Sequence, residues 1–403
     1  MFLTPVAFAM LLSWPAFAEG QELTEAVVVR LAREHDPRIA AARADVAEAT
    51  ASRLNASLYP NPQIGWNREN LSTPTGADTE DFLSVTVPID LSGTRPVKAA
   101  AGRISERHAE AKVLFARTEA CAEALDLFYT ALAAERDIRI GEELVRNLEE
   151  AVRVLRRRVE EGTAAGSEEA RLRIAQQLAV SSLRDTRWQR QHLLQELGML
   201  VGTETKDATL IGSLEPAAPN TRDTNSTPKR ALLQTLEQAL ADAEDAQDAS
   251  TWSWVPLLTL MGGVHRASST PDPLYGYLLG LALQIPLWSR GQNANAIAAA
   301  ADLRARAAVT TWNRDIDRRR ARAQLALAQS QSELRRFRKG TAALTVTMSQ
   351  ASARRYEEGH GSLLELIDAE QTRQAVRRRE TELLLRAKRA ELQLQAAEGA
   401  YER

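Results

Sequence analysis

The sequence is poor in cysteine and in aromatic residues, and both shortages narrow the class of protein. One cysteine, Cys121, occurs among 403 residues, so an intramolecular disulfide is impossible. Aromatic residues make up only 5% of the chain, although hydrophobic residues reach 44%. Alanine, leucine, arginine, glutamate and glutamine dominate instead. This composition favours long helices over a conventional mixed globule.

The chain also lacks the charge bias and the motifs of several function classes. Its formal net charge is −2, which gives no global attraction to nucleic acid or to an acidic membrane surface. It contains no G-x-S-x-G, P-loop, G-x-G-x-x-G or H-E-x-x-H motif, and its histidines are scattered without a ligand-like spacing. We therefore predict that the protein is not an enzyme, has no cofactor or metal site of its own, and binds no nucleic acid.

Long hydrophobic runs are missing after the first eighteen residues. Residues 1–18, "MFLTPVAFAMLLSWPAFA", are apolar and end in Ala-Phe-Ala, which is typical of a secretory signal peptide cleaved after Ala18. A transmembrane anchor is the alternative, but Pro5 and Pro15 interrupt the stretch and it is short for a membrane span. We expect export, and we expect no transmembrane helix in the mature chain.

The remaining sequence contains the same pattern twice. "VEEGTAAGSEEARLRIA" at 159–175 parallels "YEEGHGSLLELIDAEQT" at 356–372, and other landmarks recur at an offset of about 197 residues. We interpret the chain as a tandem duplication with repeats at 19–202 and 229–403, joined by a linker at 203–228. The matched landmarks are Gly162 with Gly359, Glu168 with Glu365, Pro60 with Pro256, Pro88 with Pro286, and Gly202 with Gly399.

Each repeat contains a pair of strands. In the second repeat, Leu279, Leu281 and Leu283 alternate with the small residues Gly280 and Ala282, and period-two alternation is typical of a strand. Such strands are long enough to cross a bilayer when tilted, but two hairpins alone leave unpaired strand edges. Ordinary hairpins packed on a soluble core are the alternative. The predicted strands are about 62–71, 82–91, 257–265 and 275–285.

Very long helical patterns follow both pairs of strands. Residues 94–161 predict a helix of roughly 100 Å at 1.5 Å per residue, and residues 292–358 predict its counterpart. Glycines interrupt the two patterns near 162–166 and 359–361, and a second helix follows each interruption. We predict two helical hairpins whose apolar stripes pack against neighbours as coiled coils do.

Together these features resemble the outer-membrane factor (TolC-like) family of efflux channels. The resemblance rests on the order of elements in both repeats, on "VPIDLSGTR" and "IPLWSRGQ", and on the turn containing Tyr356, Gly359, Ser362, Leu363 and Leu364. It implies a mainly α fold with a β-barrel part. Three chains each contribute four strands to one twelve-stranded barrel, and their long helices form a periplasmic tunnel.

The resemblance also implies a location, a function and partners. The protein would be a homotrimer in the outer membrane, in contact with its lipid, with helices extending into the periplasm. It would conduct substrates passively from a periplasmic adaptor and an inner-membrane pump of the resistance-nodulation-division type. Pro60-Asn61-Pro62 and Glu69-Asn70 look like the branch that serves heavy-metal cation exporters. A periplasmic adaptor or a structural coiled-coil protein without a barrel is the alternative.

Two sets of site residues follow from the resemblance. The interhelical turns would be periplasmic tips that contact the adaptor. Glu365 and Asp368 are three residues apart and share a helix face, which would line the channel entrance as an acidic ring in a trimer. A plain turn with a solvated acidic first helical turn is the alternative for this pair. The predicted tip residues are Gly162, Gly166, Glu168, Tyr356, Gly359, Gly361 and Ser362.

Overall fold

The computed structural model describes residues 22–73, 76–92, 94–216, 230–268, 272–285, 287–288, 290–358 and 360–402. The predicted signal peptide and the tip glycine Gly359 lie outside these described residues. The chain divides into two compact units, each of which takes segments from both sequence repeats. Unit 1 comprises Met1–Pro37, Arg117–Thr224 and Arg319–Tyr401, and unit 2 comprises Arg38–Ala116, Asn225–Arg318 and Glu402–Arg403.

The fold is mainly α with a smaller β part, as the composition predicts. The helices are α1 (Glu25–His35), α2 (Pro37–Ser57), α3 (Thr94–Glu160), α4 (Gly166–Val201), α5 (Ala231–Ser250), α6 (Gln292–Phe337), α7 (Ala343–Glu357) and α8 (Leu363–Ala397). The strands are β1 (Glu22–Thr24), β2 (Gln63–Thr73), β3 (Gly76–Ile89), β4 (Thr209–Ile211), β5 (Leu257–Ser268) and β6 (Pro273–Gln284). A π-helix, Arg338–Ala342, joins α6 to α7.

The strands of unit 2 form one antiparallel sheet in the order β2-β3-β5-β6. The hairpins of the two repeats therefore pair with each other through β3 and β5, and β2 and β6 are the edges. The strand β3 begins at Gly76, several residues before the predicted position 82. The polar residues that suggested a loop continue the ladder, since Thr79 pairs with Asn70 and its hydroxyl donates to the Asn70 Oδ1 at 3.1 Å.

Alanine dominates the helical packing of unit 2. Val97 and Ala100 of α3 pack with Ala246 of α5 and with Ala294 and Ala298 of α6, and all five side chains are buried. Small side chains at a helix contact allow the helix axes to approach closely. These small side chains therefore form the packing surface between the helices of this unit.

Larger apolar side chains form the main core of unit 1. Phe128 of α3, Leu197 of α4 and Leu384 of α8 are fully buried in one cluster. The parallel pair of β1 with β4 adds Leu23 and Leu210 to this cluster. The predicted linker at 203–228 therefore includes one strand, β4, that belongs to the core, and its residues 217–228 lie outside the described part of the chain. Three residues are too few to show a strand periodicity in the sequence.

The two predicted long helices differ in the structure. The helix α3 is continuous over 67 residues, whereas its counterpart consists of α6, the π-helix and α7. The predicted helix over 292–358 is helical from Gln292 to Glu357, but its hydrogen bonding changes at the π-helix, which contains Gly340. Among the helices of the described ranges, none has both the length and the apolar content required to cross a membrane.

Candidate functional site

The first interhelical turn, between α3 and α4, closes around the carbonyl of Arg158. That oxygen accepts hydrogen bonds from the backbone N–H and the hydroxyl of Thr163, at 2.8 and 3.0 Å. Gly162 has φ +74°, a left-handed conformation that a side chain disfavours, and a Cβ added to it would meet no other atom within 4 Å. The predicted tip glycine is therefore required by the backbone and leaves open space above it.

The second turn, between α7 and α8, closes around the carbonyl of Arg355. It accepts hydrogen bonds from the backbone N–H groups of His360 and Gly361, at 2.9 and 2.8 Å. A Cβ at Gly361 would lie 2.9 Å from the backbone nitrogen of Tyr356, so this turn requires glycine for space. Ser362 then caps α8, because its hydroxyl accepts a hydrogen bond from the Glu365 N–H at 3.2 Å.

Beneath both turns, one apolar cluster joins the two helical hairpins. Tyr356 lies in this cluster with only 8% of its surface exposed, packed with Leu155, Leu172 and Leu363 among others. The guanidinium carbon of Arg158 lies 5.2 Å from its ring centroid. Burial raises the pKa of the Tyr356 hydroxyl, which has no hydrogen-bond partner in the described part of the chain. Within one chain, Tyr356 thus holds the hairpins together and is shielded from a partner.

The other described tip residues remain accessible. Gly162, Gly166, Glu168 and Ser362 are exposed, and a Cβ at Gly166 would also meet no atom within 4 Å. Next to Ser362, the side chain of Leu364 is 67% exposed. The first turn therefore presents open backbone and the start of α8 presents an exposed apolar side chain, and a protein partner could contact either. In the sequence, only the family pattern of the turn points to Leu364.

The two predicted entrance residues, Glu365 and Asp368, are both exposed at the start of α8. They are not equivalent, because a carboxylate oxygen of Glu365 lies 3.6 Å from the Arg355 guanidinium. Both side chains of this pair are about half exposed, so the pair stabilises the fold little. Among the described residues, Asp368 has no ion-pair partner. The negative charge of this face therefore rests mainly on Asp368.

A cluster of ion pairs that the sequence analysis missed lies on α8 beyond the tip. Arg373 and Arg377, one helical turn apart, both bind the carboxylate of Glu143 on α3. Burial opposes ionisation of Glu143, but the hydrogen bond from Arg377 and the charges of both arginines outweigh it and lower the pKa of that carboxyl. Asn147 adds a hydrogen bond to Glu370 at 3.0 Å. The pairing of the two arginines with Glu143, more than two hundred residues away, cannot be predicted from a basic run in the sequence.

The sheet of unit 2 has an exposed apolar face. Rungs across all four strands place Trp66, Leu83, Val264 and Tyr277 on this face, and Leu281 lies on the same face of β6. All five side chains are exposed, Leu281 by 70% and Tyr277 by 83%. A contiguous exposed apolar face of this extent marks a surface for lipid or for another protein.

The opposite face of the sheet is more polar, although it also carries Phe82, Met261, Leu274 and Leu278. It carries small and polar side chains such as Asn67 and Ser84, together with the carboxylates of Glu69 and Glu80. His265 stacks on Phe82 with the ring centroids 4.4 Å apart, and its Nε2 lies 3.1 Å from a carboxylate oxygen of Glu80. Both strand arginines, Arg68 and Arg266, are on the apolar face instead. The polar face of the four strands thus has carboxylates and no arginine or lysine.

Comparisons with known proteins agree with this architecture. Residues 28–203 match the model of the family described as "Outer membrane efflux protein". No protein with a curated description matches the chain.

Three solved structures have a similar fold. The outer-membrane channel OprN superposes with a TM-score of 0.73 at 16% identity, covering 94% of this chain and 91% of that chain. The outer membrane protein VceC from Vibrio cholerae gives 0.72 at 16% identity, covering 93% and 96%. CusC, whose structures concern transmembrane channel formation, gives 0.68 at 16% identity, covering 93% and 91%. At these identities the similarity is one of fold.

Proposed function

We propose that this chain, whose residues 28–203 match the model of the outer membrane efflux protein family, forms the outer-membrane channel of a tripartite efflux system. The channel is passive. A periplasmic adaptor and an inner-membrane pump of the resistance-nodulation-division type deliver the substrate to its periplasmic end. The helices extend from the outer membrane into the periplasm.

The observation that best supports this proposal is the sheet of unit 2, which has one exposed apolar face and a more polar opposite face. Such a sheet fits a bilayer if the apolar face contacts lipid and the polar face lines water. Its unpaired edges, β2 and β6, cannot remain open in lipid, because unsatisfied backbone groups are too costly there. Three copies that pair β2 with the β6 of the next copy close a twelve-stranded barrel without an edge.

At the periplasmic end, we assign the two interhelical turns to the contact with the adaptor. Open backbone at Gly162 and Gly166 in the first turn and the exposed Leu364 after the second turn support this assignment. Glu365 and Asp368 then line the entrance, where threefold symmetry repeats the pair. The ion pair with Arg355 leaves Asp368 as the stronger attraction for a cation.

For the substrate, we propose heavy-metal cations. The Glu69-Asn70 pair that resembles the metal-exporter branch lies on β2, and Glu69 is directly opposite Glu80 on the polar face. Carboxylates without arginine or lysine on that face favour the passage of cations over anions. The proposed pathway is therefore acidic both at its entrance and along its strands.

An arginine placed on one face or the other of β6 tests which face of the sheet contacts lipid. Leu281→Arg puts a charge on the face assigned to lipid, which costs roughly 2–4 kcal/mol near the middle of a bilayer. Ala282→Arg, on the opposite face of the same strand, is the matched control. We expect the first variant to lose most of its assembled oligomer in membrane extracts and the second to assemble normally. Equal assembly of both variants would contradict the assignment of the faces.

A further inference from the structure

A polar cleft of about 820 Å³ lies where the helices of unit 2 meet the sheet. It is formed by the end of α2, the start of α3 and the segments that connect these helices to β2 and β3. Tyr59 and Asn61 precede β2, Asp90 follows β3, and Arg95 and Lys98 belong to the start of α3. Clefts of this size hold small molecules or their equivalents.

The two helices that form the cleft are in close contact at its inner end. A Cβ added to Gly102 of α3 would lie 2.8 Å from the Cα of Arg53, so α2 and α3 meet there through their backbones. Arg53 also forms an ion pair at 2.7 Å with Glu106 of α3. The cleft therefore has a fixed floor at Gly102 and extends from it to the connections with the sheet.

Arg95 is held in place without being neutralised. Its Nη1 donates to the carbonyl of Ser57 at 3.3 Å, its Nη2 donates to the hydroxyl of Tyr59 at 2.8 Å, and its guanidinium carbon lies 3.6 Å from the Tyr59 ring centroid. These hydrogen bonds use two of the five N–H donors of a guanidinium. The Nε–H is buried without an acceptor in the described part of the chain. Arg95 thus has more donors than the surrounding protein has acceptors.

The other two charged groups of the cleft are also unpaired. Lys98 is exposed and forms no ion pair with another described residue. Asp90 uses one oxygen, Oδ1, to accept hydrogen bonds from the backbone N–H and the hydroxyl of Ser92, at 2.9 and 2.6 Å. Its Oδ2 has no partner in the same described ranges. Two unpaired cations beside one unpaired carboxylate fit a ligand that carries both charges better than they fit a simple anion.

Exposed apolar and aromatic side chains surround this end of the sheet. Leu58 and Tyr59 are 66% and 63% exposed, and Leu91, just after β3, is 59% exposed. The second hairpin has two exposed tryptophans at the same end, Trp254 before β5 and Trp288 after β6. If the sheet spans the bilayer as proposed, this end is the boundary between acyl chains and periplasm, where tyrosine and tryptophan are typical.

We propose that the cleft binds the head group of a phospholipid that carries an ammonium beside its phosphate, as phosphatidylethanolamine does. The inference rests on the proposed function, because it requires the sheet to lie in a bilayer. The phosphate accepts hydrogen bonds from Arg95 and Lys98, and the ammonium donates to the free oxygen of Asp90. The acyl chains then leave the cleft past Leu58 and Leu91.

Native mass spectrometry of the detergent-extracted protein tests the site, because it counts bound lipids and copies of the chain together. With dihexanoyl phosphatidylethanolamine we expect one lipid per chain. Lys98→Gln should weaken binding about tenfold, because it removes a charge-assisted hydrogen bond. Arg95→Gln should weaken it at least as much, but Lys98→Gln is the decisive variant, since Lys98 has no contact whose loss would disturb the fold.

Lys112→Gln is the matched control. Lys112 lies on the same helix, is well exposed and pairs with Asp45 of α2 at 3.6 Å, but it does not line the cleft. It should bind the lipid as the parent protein does. Equal affinities of Lys98→Gln and Lys112→Gln would overturn the proposal.

Asp90→Asn separates the two parts of the head group. The parent protein should bind dihexanoyl phosphatidylethanolamine about fivefold or more tightly than dihexanoyl phosphatidylcholine, because a quaternary ammonium has no N–H to donate. Asp90→Asn keeps an oxygen for the hydrogen bonds from Ser92 but loses the charge, and it should reduce this preference to within about twofold. An unchanged preference in Asp90→Asn would overturn the assignment of a zwitterionic head group.

Competition distinguishes a lipid from a free phosphate. Inorganic phosphate and free phosphoethanolamine should not displace the lipid at equal concentration, because buried acyl chains add to the affinity. Displacement by either would overturn the lipid as the ligand. Absence of lipid from a trimer of the parent protein would also overturn the inference, since the next copy would then cover the cleft, and it would leave the channel assignment intact. A monomer would contradict the channel assignment itself, so the two failures are distinguishable.

Discussion

The two helical hairpins arise from the same repeated sequence pattern, yet they are built differently. The first has a continuous helix, α3, and a turn in which Gly162 adopts a left-handed conformation over open space. The second has the π-helix, a buried tyrosine at the end of α7, and a serine cap and an exposed acidic pair at the start of α8. The same repeated pattern therefore allows two hairpins that differ in helix geometry, in the residue packed beneath the turn and in surface charge.

The largest expected effect concerns Tyr356, which fills the cluster between the hairpins. Tyr356→Ala should lower the free energy of unfolding by about 3–5 kcal/mol, because it leaves a large cavity. Val159→Ala, at the corresponding position of the first hairpin and only half buried, should cost about 1 kcal/mol or less. Urea denaturation of the purified protein measures both. Similar losses for the two variants would mean that the hairpins share this cluster equally.

Tyr356→Phe sharpens the same comparison. The Tyr356 hydroxyl is buried without a hydrogen-bond partner among the described residues, and removal of an unsatisfied polar group should be neutral or stabilise by about 1 kcal/mol. A clear loss of stability in Tyr356→Phe would mean that the hydroxyl has a partner in the assembled protein. The same denaturation experiment decides this.

The glycines of the two turns should respond next. Gly361→Ala should destabilise by roughly 1–3 kcal/mol, because its Cβ would press on the backbone of Tyr356. Gly166 is the first residue of α4, and a Cβ added to it would meet no atom within 4 Å. Gly166→Ala should therefore be neutral or stabilise the protein by about 0.5 kcal/mol. Thermal denaturation of the two variants gives the contrast. Equal midpoints would show that the second turn relaxes at no cost.

A smaller, pH-dependent effect is expected from Glu143, which joins α3 to α8. Its pKa is lower in the folded than in the unfolded protein, so its contribution is present above the unfolded pKa and is lost as the pH falls through the folded pKa. Glu143→Gln should cost about 1 kcal/mol at pH 7, because the group is one-third exposed and water screens its ion pairs. The difference between variant and parent should vanish in acid.

The matched control for this effect is Glu150→Gln. Within the described part of the chain, Glu150 pairs only with Arg153 on its own helix, and both side chains are well exposed. Its stability should change by less than about 0.5 kcal/mol at any pH. A pH-independent loss in Glu143→Gln would show that packing of that side chain, and not its charge, joins the helices.

The smallest effect on stability is expected at the acidic pair of α8. Glu365→Gln together with Asp368→Asn should change the free energy of unfolding by less than about 0.5 kcal/mol, because both side chains are exposed. If the pair lines the entrance, the double variant should lose block of channel current by multivalent cations in planar bilayers. Single variants should rank Asp368→Asn above Glu365→Gln, since Arg355 already offsets the charge of Glu365. Unchanged block would favour a plain solvated turn.

Much of the fold can be predicted from the sequence, because its patterns are local. Alternation at 275–285 indicates β6, and the heptad-like stripes indicate the long helices. The π-helix was missed because Leu344 and Thr345 both suit an amphipathic helix. The sequence does not show that Thr345 is the buried one of the two. The strand β4 was missed because three residues show no period.

The candidate site was predicted less completely, for a different physical reason. The glycines, Ser362 and the acidic pair follow from local turn and helix geometry, which the sequence shows. Other features depend on which segments meet in space. These are the burial of Tyr356, the Arg355–Glu365 ion pair and the ion pairs of Arg338 with Glu215 and Glu380. Those contacts join residues that are distant in the chain or lie across a turn, and one sequence holds no record of them.

The copy number of the membrane-extracted protein is the measurement that tests the channel assignment most directly. Membranes are washed with high salt, the protein is extracted in detergent, and its mass is determined by native mass spectrometry. Three edge-paired chains predict a trimer that stays with the membrane through the wash. A monomer recovered in the soluble periplasmic fraction would contradict the channel assignment, because the apolar face and the two open strand edges would then have no partner.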